Sequence, residues 1–353
     1  LATLPIVEAN LIIAKYFPNP TISSNSEVVK GGSFHPAELW QTLELGRKRH
    51  WRVQIAKEQI SKTELEISKT IWEIHTQVHV GYADLVIGHE LYELAKDRTE
   101  FYKILTDVAE KRFKAGDISQ LEFKRAEMEL LSSENSLSDF KGKLQKAEVE
   151  FNHLLGNEVN EEVVLIDYPD LSPKMKLKNY PGIDSILGEA LSKRLEMAIL
   201  EKEYGIARAQ LKKAKWERIP NLTVGGGAVR PSYRDGIWGP FFGAQFEIPV
   251  FNRKQGEIKQ AKAQIEYLKN EEERIKHDIS IDVANSVRDL EVREDQVTRF
   301  QEKLISDSQE VLKMILTGYK KGKLSFTDVL NAEQTDRNIK QKYLESLYDY
   351  QFA

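Results

Sequence analysis

Two long segments, 50–114 and 255–317, constrain the fold most strongly, because each runs for about 65 residues without a proline. Both mix charged side chains with apolar residues at helical spacing, so we predict that each is one continuous helix. At a rise of about 1.5 Å per residue, such a helix is roughly 100 Å long. That length exceeds the diameter of a globular domain of this mass, so these helices cannot wrap one compact core.

The apolar residues of both segments recur every seven positions. The heptad positions are Ile60, Ile67 and Ile74 with Ile71, Val78 and Leu85 in the first segment, and Val283, Leu290, Val297, Leu304 and Val311 in the second. A sustained heptad predicts supercoiled helix packing. The alternative is an ordinary amphipathic helix on a globular core, but such helices rarely exceed about 25 residues.

The chain contains one unit twice. Pro18-Asn19 matches Pro220-Asn221 at an offset of 202, and the segment from Gly116 matches that from Gly322 at an offset of 206. Two further matches lie between them in the same order: 43–45 with 246–248, and 56–60 with 261–265. We therefore predict a mainly α fold with a small β part, built from a duplicated helix–strand–strand–long helical hairpin unit.

The repeats have these expected boundaries. The first covers 1–155, with a strand pair at about 20–46 and a helical hairpin at about 50–155. A proline-containing linker, 156–182, follows, with one short strand expected at 163–166. The second repeat covers 183–353, with a strand pair at about 220–250 and a helical hairpin at about 254–353. In each hairpin a glycine ends the long helix, and Ser119 or Ser325 caps the returning one.

The short strands are predicted to have one apolar and one polar face. Phe242, Phe246 and Ile248 alternate with Gln245 and Glu247. Four strands from one chain leave two open edges, which several chains could close into a shared barrel with lipid outside and water inside. Aromatic residues flank the strands as in a membrane-interface girdle, although they could also cover a soluble sheet: Tyr16, Phe17, Trp51, Trp216, Tyr233, Trp238 and Phe251.

Composition excludes several function classes. A near-balanced charge of -4 argues against nucleic acid as a partner. The absence of cysteine removes thiol catalysis and thiolate metal sites, and fits an oxidising compartment.

His75 and His79 have the spacing of a zinc-protease pair, but Thr76 stands where the catalytic glutamate is needed. We expect no enzyme, no cofactor and no metal site, with a metal at this histidine pair as a minor alternative.

Further motifs carry a family resemblance. They are Glu247-Ile248-Pro249-Val250-Phe251-Asn252-Arg253 followed by Gly256-Glu257, the Ala190-Leu191-x-x-Arg194 segment, the Pro-Asn pairs and the two Gly-x-x-Ser turns. With these motifs in order over nearly the whole chain, the sequence resembles the TolC family of outer-membrane efflux proteins. It is most similar to the heavy-metal branch of CzcC and CusC type.

The resemblance implies an architecture and partners. The family forms a homotrimer with a 12-stranded β-barrel in the outer membrane and an α-helical coiled-coil tunnel across the periplasm of a Gram-negative-type bacterium. It works with a periplasmic adaptor and an inner-membrane pump of RND type. The expected function is a passive duct that exports metal cations or small toxic compounds and is opened by the adaptor. The alternative is a soluble coiled-coil scaffold with a small β-module.

The resemblance also implies working residues. The expected adaptor-docking residues lie at the helical tips: Arg112, Gly116, Ser119, Lys320, Gly322 and Ser325. Glu122, Tyr319, Asp328 and Asn331 match positions of the constriction that closes the tunnel, where three chains would give rings of carboxylates. Glu122 and Asp328 could equally serve only as first-turn acids of their helices. By strand alternation, Glu44 and Glu247 would line the barrel lumen.

Overall fold

The computed structural model describes residues 2–24, 27–29, 32–158, 161, 163, 182–231 and 237–352. The described chain is mainly helical with a small antiparallel sheet, as expected. Its helices are α1 (Leu4–Lys15), α2 (Lys48–Lys114), α3 (Gln120–Leu155), α4 (Ile183–Lys193), α5 (Leu195–Trp216), α6 (Gln255–Arg299), α7 (Ile305–Lys320) and α8 (Phe326–Phe352). Its strands are β1 (Thr21–Ser23), β2 (Glu27–Val29), β3 (Gly32–Leu43), β4 (Leu222–Pro231) and β5 (Gly239–Phe246).

The first long helix is continuous. Helix α2 has 67 residues and begins two positions before its predicted start. The predicted second long helix is instead interrupted by a π-helical turn, Phe300–Leu304, between α6 and α7. Both are rich in charge, and no helix in the described part of the chain has the length and apolar composition needed to span a bilayer.

The π turn changes which residues face the protein interior. Val297, before the turn, is fully buried, whereas the predicted heptad positions Leu304 and Val311 are 41% and 50% exposed. After the turn, the side chains that face inward lie one position beyond the predicted heptad positions. They include the half-buried Ile305 and the buried Tyr319. The heptad prediction is therefore wrong after residue 299 for packing within one chain, because the wider π turn rotates the following helix.

The sheet is four strands wide. Both β1 and β2 pair with β3, at opposite ends of it, and β3 then pairs with β4 and β4 with β5. Every pairing is antiparallel. Among the described residues, neither β1 nor β5 has a further strand beyond it, so the sheet has two open edges.

The chain divides into two compact units, each of which takes residues from both predicted repeats. The first, 1–70 with 188–279, contains the sheet and a small core around Leu200, Ala207 and Leu268. The second, 71–187 with 280–353, contains both helical turns and a larger core. The repeat boundaries themselves remain a prediction. Of the predicted strand 163–166, Val163 is not in a strand, and 164–166 lie outside the described residues.

Candidate functional site

The first helical turn, between α2 and α3, is closed by local hydrogen bonds. Gly116 has φ of +80°, a left-handed conformation that glycine adopts without strain. Its N–H donates to the Phe113 carbonyl at 3.0 Å, and the Asp117 N–H donates to the Arg112 carbonyl at 2.9 Å. The Ser119 hydroxyl caps α3 by accepting from the Glu122 N–H at 3.2 Å.

The second turn, between α7 and α8, repeats this geometry. Gly322 has φ of +70°, and its N–H donates to the Tyr319 carbonyl at 2.9 Å. Ser325 caps α8 by accepting from the Asp328 N–H at 3.2 Å, and the Asp328 carboxylate accepts from the Ser325 N–H in return. Equivalent bonds are made by residues 206 positions apart, so the sequence offset corresponds to a structural equivalence.

The structure brings the two turns together through Arg112 and Tyr319. The guanidinium of Arg112 lies 4.7 Å from the centre of the Tyr319 ring and donates to the Tyr319 carbonyl at 3.1 Å. The guanidinium also lies beside Gly322, where a Cβ would be in ordinary van der Waals contact with it at 3.7 Å. We name these paired turns, Arg112–Ser119 and Tyr319–Ser325, the tip.

Tyr319 belongs to the core below the tip. It is fully buried with Tyr102, Phe326 and Val329. Its hydroxyl makes no hydrogen bond of good geometry within the described residues, although the Glu122 carboxylate lies near it. Burial and, second, that carboxylate raise the pKa of the Tyr319 phenol. Tyr319 thus fixes the tip, and its role in a constriction remains a prediction.

The other predicted constriction residues lie at the start of α8. Asp328 is partly exposed, and hydrogen bonds from Ser325 lower the pKa of its carboxyl. Asn331 is exposed and lines an open groove between α7 and α8 together with Leu304 and Val311. Lys320 is exposed at the tip. Asp328 and Asn331 line the same groove, and the docking role of Lys320 and the gating roles of Asp328 and Asn331 remain predictions.

Sequence reasoning missed a buried charge cluster behind the tip. Glu333 accepts from the Tyr102 hydroxyl at 2.7 Å, and its carboxylate lies 3.4 Å from Arg98 and 3.8 Å from Arg337. Glu333 is only 6% exposed. A signal was present, because Glu333 follows the buried Phe326 by seven residues and so occupies an inward heptad position.

The sheet in the first unit has an exposed apolar face. Register places Ile22, Leu39, Gly226 and Phe242 in one row across the strands. Ile22 is 84% exposed, Leu39 53% and Phe242 89%. One soluble chain rarely leaves such a continuous apolar face uncovered, so this face marks an interaction surface.

The opposite face of the sheet is polar and internally bonded. Glu38 accepts from the Ser23 hydroxyl at 3.1 Å and from the Trp40 indole N–H at 2.8 Å. The Thr42 and Thr223 hydroxyls are 3.0 Å apart across β3 and β4. The predicted alternation of apolar and polar faces is therefore present.

Trp40 explains the glycines of β4 and β5. Its ring lies where side chains at Gly225 and Gly243 would be, since Cβ atoms there would come within 2.4 and 2.7 Å of it. Glycine at 225 and 243 therefore allows Trp40 to pack closely against both strands.

The predicted lumen residues follow the strands by one position. Glu44 forms an ion pair with Arg52, with Oε1 and Nη1 2.7 Å apart, and its side chain is 11% exposed. Glu247 is exposed. Burial lowers the pKa of Lys48, and the carboxylates of Glu217, Glu44 and Glu247 oppose this shift only in part. The lumen role of Glu44 and Glu247 stays a prediction.

Several predicted girdle aromatics are exposed beside the strands: Tyr16, Phe17, Trp216, Trp238 and Phe251. The guanidinium of Arg49 lies 4.3 Å from the centre of the Phe17 ring. Trp51 is half-buried, with the Lys212 ammonium 4.7 Å from its ring centre. Tyr233 lies outside the described residues.

Comparison with known proteins agrees with this geometry. The family model "Outer membrane efflux protein" matches residues 33–157. The cobalt-zinc-cadmium resistance protein CzcC of Cupriavidus metallidurans is 25% identical over 356 residues, covering 97% of this chain and 80% of the relative.

Solved structures share the fold at low identity. The outer membrane protein VceC of Vibrio cholerae has a TM-score of 0.78 at 15% identity, covering 99% of this chain and 89% of that one. The channel protein CusC has a TM-score of 0.75 at 17% identity, covering 99% and 85%.

These likenesses confirm the predicted resemblance to TolC-like outer-membrane efflux proteins, and the likeness to CzcC and CusC supports the heavy-metal branch. They agree with the expected function as an outer-membrane efflux component and with the expected outer-membrane localisation. The family consists of channels rather than enzymes.

Proposed function

We propose that three copies of this chain join their sheets into one 12-stranded barrel, four strands from each, and continue it as an α-helical tunnel. The observation that carries the proposal is the exposed apolar face around Leu39 and Phe242, opposite a polar face and between two open edges. Closing the edges pairs their free N–H and C=O groups, and an apolar exterior fits lipid.

Strand length supports the same arrangement. A strand that crosses a bilayer at a tilt needs about 9–11 residues. β3 has 12 residues and β4 has 10. Exposed heptad positions such as Ile71, Ile74 and Val311 would find partners on neighbouring copies in a coiled-coil tunnel.

The duct would serve a tripartite system with a periplasmic adaptor and an inner-membrane pump of RND type. Its cargo would be metal cations, because the relative CzcC is named for resistance to cobalt, zinc and cadmium. Small toxic compounds are the other cargo class. The duct would be passive, and the pump would supply the energy.

The tip would receive the adaptor. Its docking residues would be Arg112, Gly116, Ser119, Lys320, Gly322 and Ser325. Glu122, Tyr319, Asp328 and Asn331 would form the constriction, where carboxylates of three copies attract cations and repel one another. Glu44 and Glu247 would border the lumen.

A matched pair of substitutions tests the membrane assignment. Phe242→Lys puts a charge on the apolar face, whereas Gln245→Lys puts the same charge on the polar face of the same strand. A charge facing lipid at mid-membrane costs about 2–4 kcal/mol, and a lumen charge is tolerated. We expect Phe242→Lys to lose insertion into liposomes while Gln245→Lys retains it and changes ion selectivity in planar bilayers.

Mass measurement in detergent gives a second readout. The proposal expects a trimer that conducts ions in bilayers. A folded, water-soluble monomer that neither binds nor enters liposomes would refute the proposed barrel and favour the soluble coiled-coil scaffold.

A further inference from the structure

Helix α2 carries two exposed histidines that face each other. The Nε2 atoms of His75 and His79 are 3.2 Å apart, and their ring centres are separated by 4.4 Å. They are four residues apart on one helix face, and both belong to the second compact unit. Neither the family likeness nor the proposed duct uses them.

The spacing fits a shared metal ion. Imidazole nitrogens bind Zn²⁺ at about 2.0–2.1 Å, so two ligands of a tetrahedral ion lie roughly 3.3–3.4 Å apart. Two adjacent ligands of an octahedral ion with similar bonds lie about 2.9 Å apart. The observed 3.2 Å separates two nitrogens that are hydrogen-bonded to each other, and it falls between these values, so the spacing fits a shared ion that replaces this hydrogen bond.

His75 is packed against a neighbouring ring before any ion binds. The ring of Trp72, one turn earlier, stacks on His75 with ring centres 5.5 Å apart and planes 25° from parallel. This contact restricts rotation of the His75 ring, and the continuous helix fixes the backbone of both residues. A preorganised pair loses less conformational freedom on binding.

We propose that His75 and His79 bind one late first-row divalent cation, such as Zn²⁺, Ni²⁺ or Cu²⁺, with water completing its coordination. Imidazole ligands suit these ions. The described residues contain no group of three or more His, Cys, Asp or Glu side chains placed to hold a metal, so the site is open and exchanges its ion readily. Thr76 occupies the position of the zinc-protease glutamate, so binding is not coupled to hydrolysis.

Calorimetric titration of the purified full chain in detergent with ZnCl₂ tests the site. We expect one equivalent per chain in the wild type and its loss in both His75→Ala and His79→Ala. His153→Ala is the matched control, because it removes an exposed histidine without a second histidine one turn away. Equal Zn²⁺ binding by the wild type and both variants would overturn the proposal.

Electron paramagnetic resonance with Cu²⁺ distinguishes a chelate from adventitious surface binding. The wild type should show hyperfine coupling to two imidazole nitrogens, and each single variant to one or none. A single nitrogen in the wild type would also refute the site. Circular dichroism confirms that the variants fold, and bilayer conductance reports on the duct separately, so the two proposals can fail independently.

Discussion

The guanidinium of Arg112 covers the ring of Tyr319 and donates to the carbonyl of the same residue. Arg112 lies in the last turn of α2 and Tyr319 in the last turn of α7, so one side chain joins the two turns of the tip. The two contacts act on different parts of Tyr319, the ring and the backbone, and together they fix its position. Any partner that binds the tip would therefore meet a surface that Arg112 has already ordered.

Arg112→Ala should loosen both turns of the tip. The lost cation–π contact and charge-assisted hydrogen bond together stabilise the fold by about 1–3 kcal/mol. Hydrogen exchange should accelerate at the amides of Gly116 and Gly322. Lys111→Ala is the control, since Lys111 is exposed and its ammonium pairs with Asp107 one turn away. Equal exchange in the two variants would contradict the assigned role.

Tyr102→Phe should destabilise the second unit. It removes the donor to the buried Glu333 carboxylate, and an unsatisfied buried group costs about 1–3 kcal/mol. Thermal unfolding measures the effect. Tyr267→Phe on α6 removes the hydroxyl of a 58% exposed tyrosine and should be close to neutral. If both variants have the same melting temperature, the buried hydrogen bond contributes little to the stability of the fold.

The cap of α8 should weaken in acid. Hydrogen bonds from Ser325 lower the pKa of Asp328 below its ordinary value of 3.8. A carboxyl with a depressed folded pKa stabilises the fold above the unfolded pKa, and this contribution disappears as the pH falls through the folded pKa. The stability difference between wild type and Asp328→Asn should therefore be constant near neutrality and shrink below about pH 4.

Paired denaturation curves from pH 7 to about 2 measure that difference. Ser325→Ala provides the comparison, because it removes the hydroxyl that bonds the carboxylate and should reduce the same pH dependence. A difference that stays constant with pH would mean that Asp328 does not stabilise the cap through its charge.

Gly225→Ala should disrupt the sheet. The added Cβ would lie 2.4 Å from the Trp40 ring, and forced overpacking costs about 1–3 kcal/mol. Gly239→Ala, on the neighbouring strand, meets nothing within 4 Å and is the matched control. The folded fraction after refolding into detergent should fall for Gly225→Ala alone. Equal yields would show that Trp40 can move aside.

Local pattern was sufficient to predict much of the fold. The absence of proline predicted α2, and strict alternation predicted the two faces of β5. Glycine and serine at the tip predicted both turns, because left-handed backbone and helix capping need those residue types.

Contacts between residues that are far apart in the sequence could not be predicted from local sequence pattern. The bond from Tyr102 to Glu333 joins positions 231 residues apart. The π turn was also missed, because no residue type signals a switch from one hydrogen-bond spacing to another. The docking and gating residues depend on other molecules, and one chain cannot reveal them.

The π turn accounts for a difference in length between the two repeats. Ala56 precedes Gly116 by 60 positions, whereas the equivalent Ala261 precedes Gly322 by 61. A π turn accommodates one additional residue without breaking a helix, and Phe300–Leu304 lies inside the longer interval. The additional residue is thereby accommodated within the π turn itself. One additional residue in an uninterrupted α-helix would rotate every following side chain by about 100° around the helix axis, so the π turn keeps Tyr319 facing the interior despite the insertion.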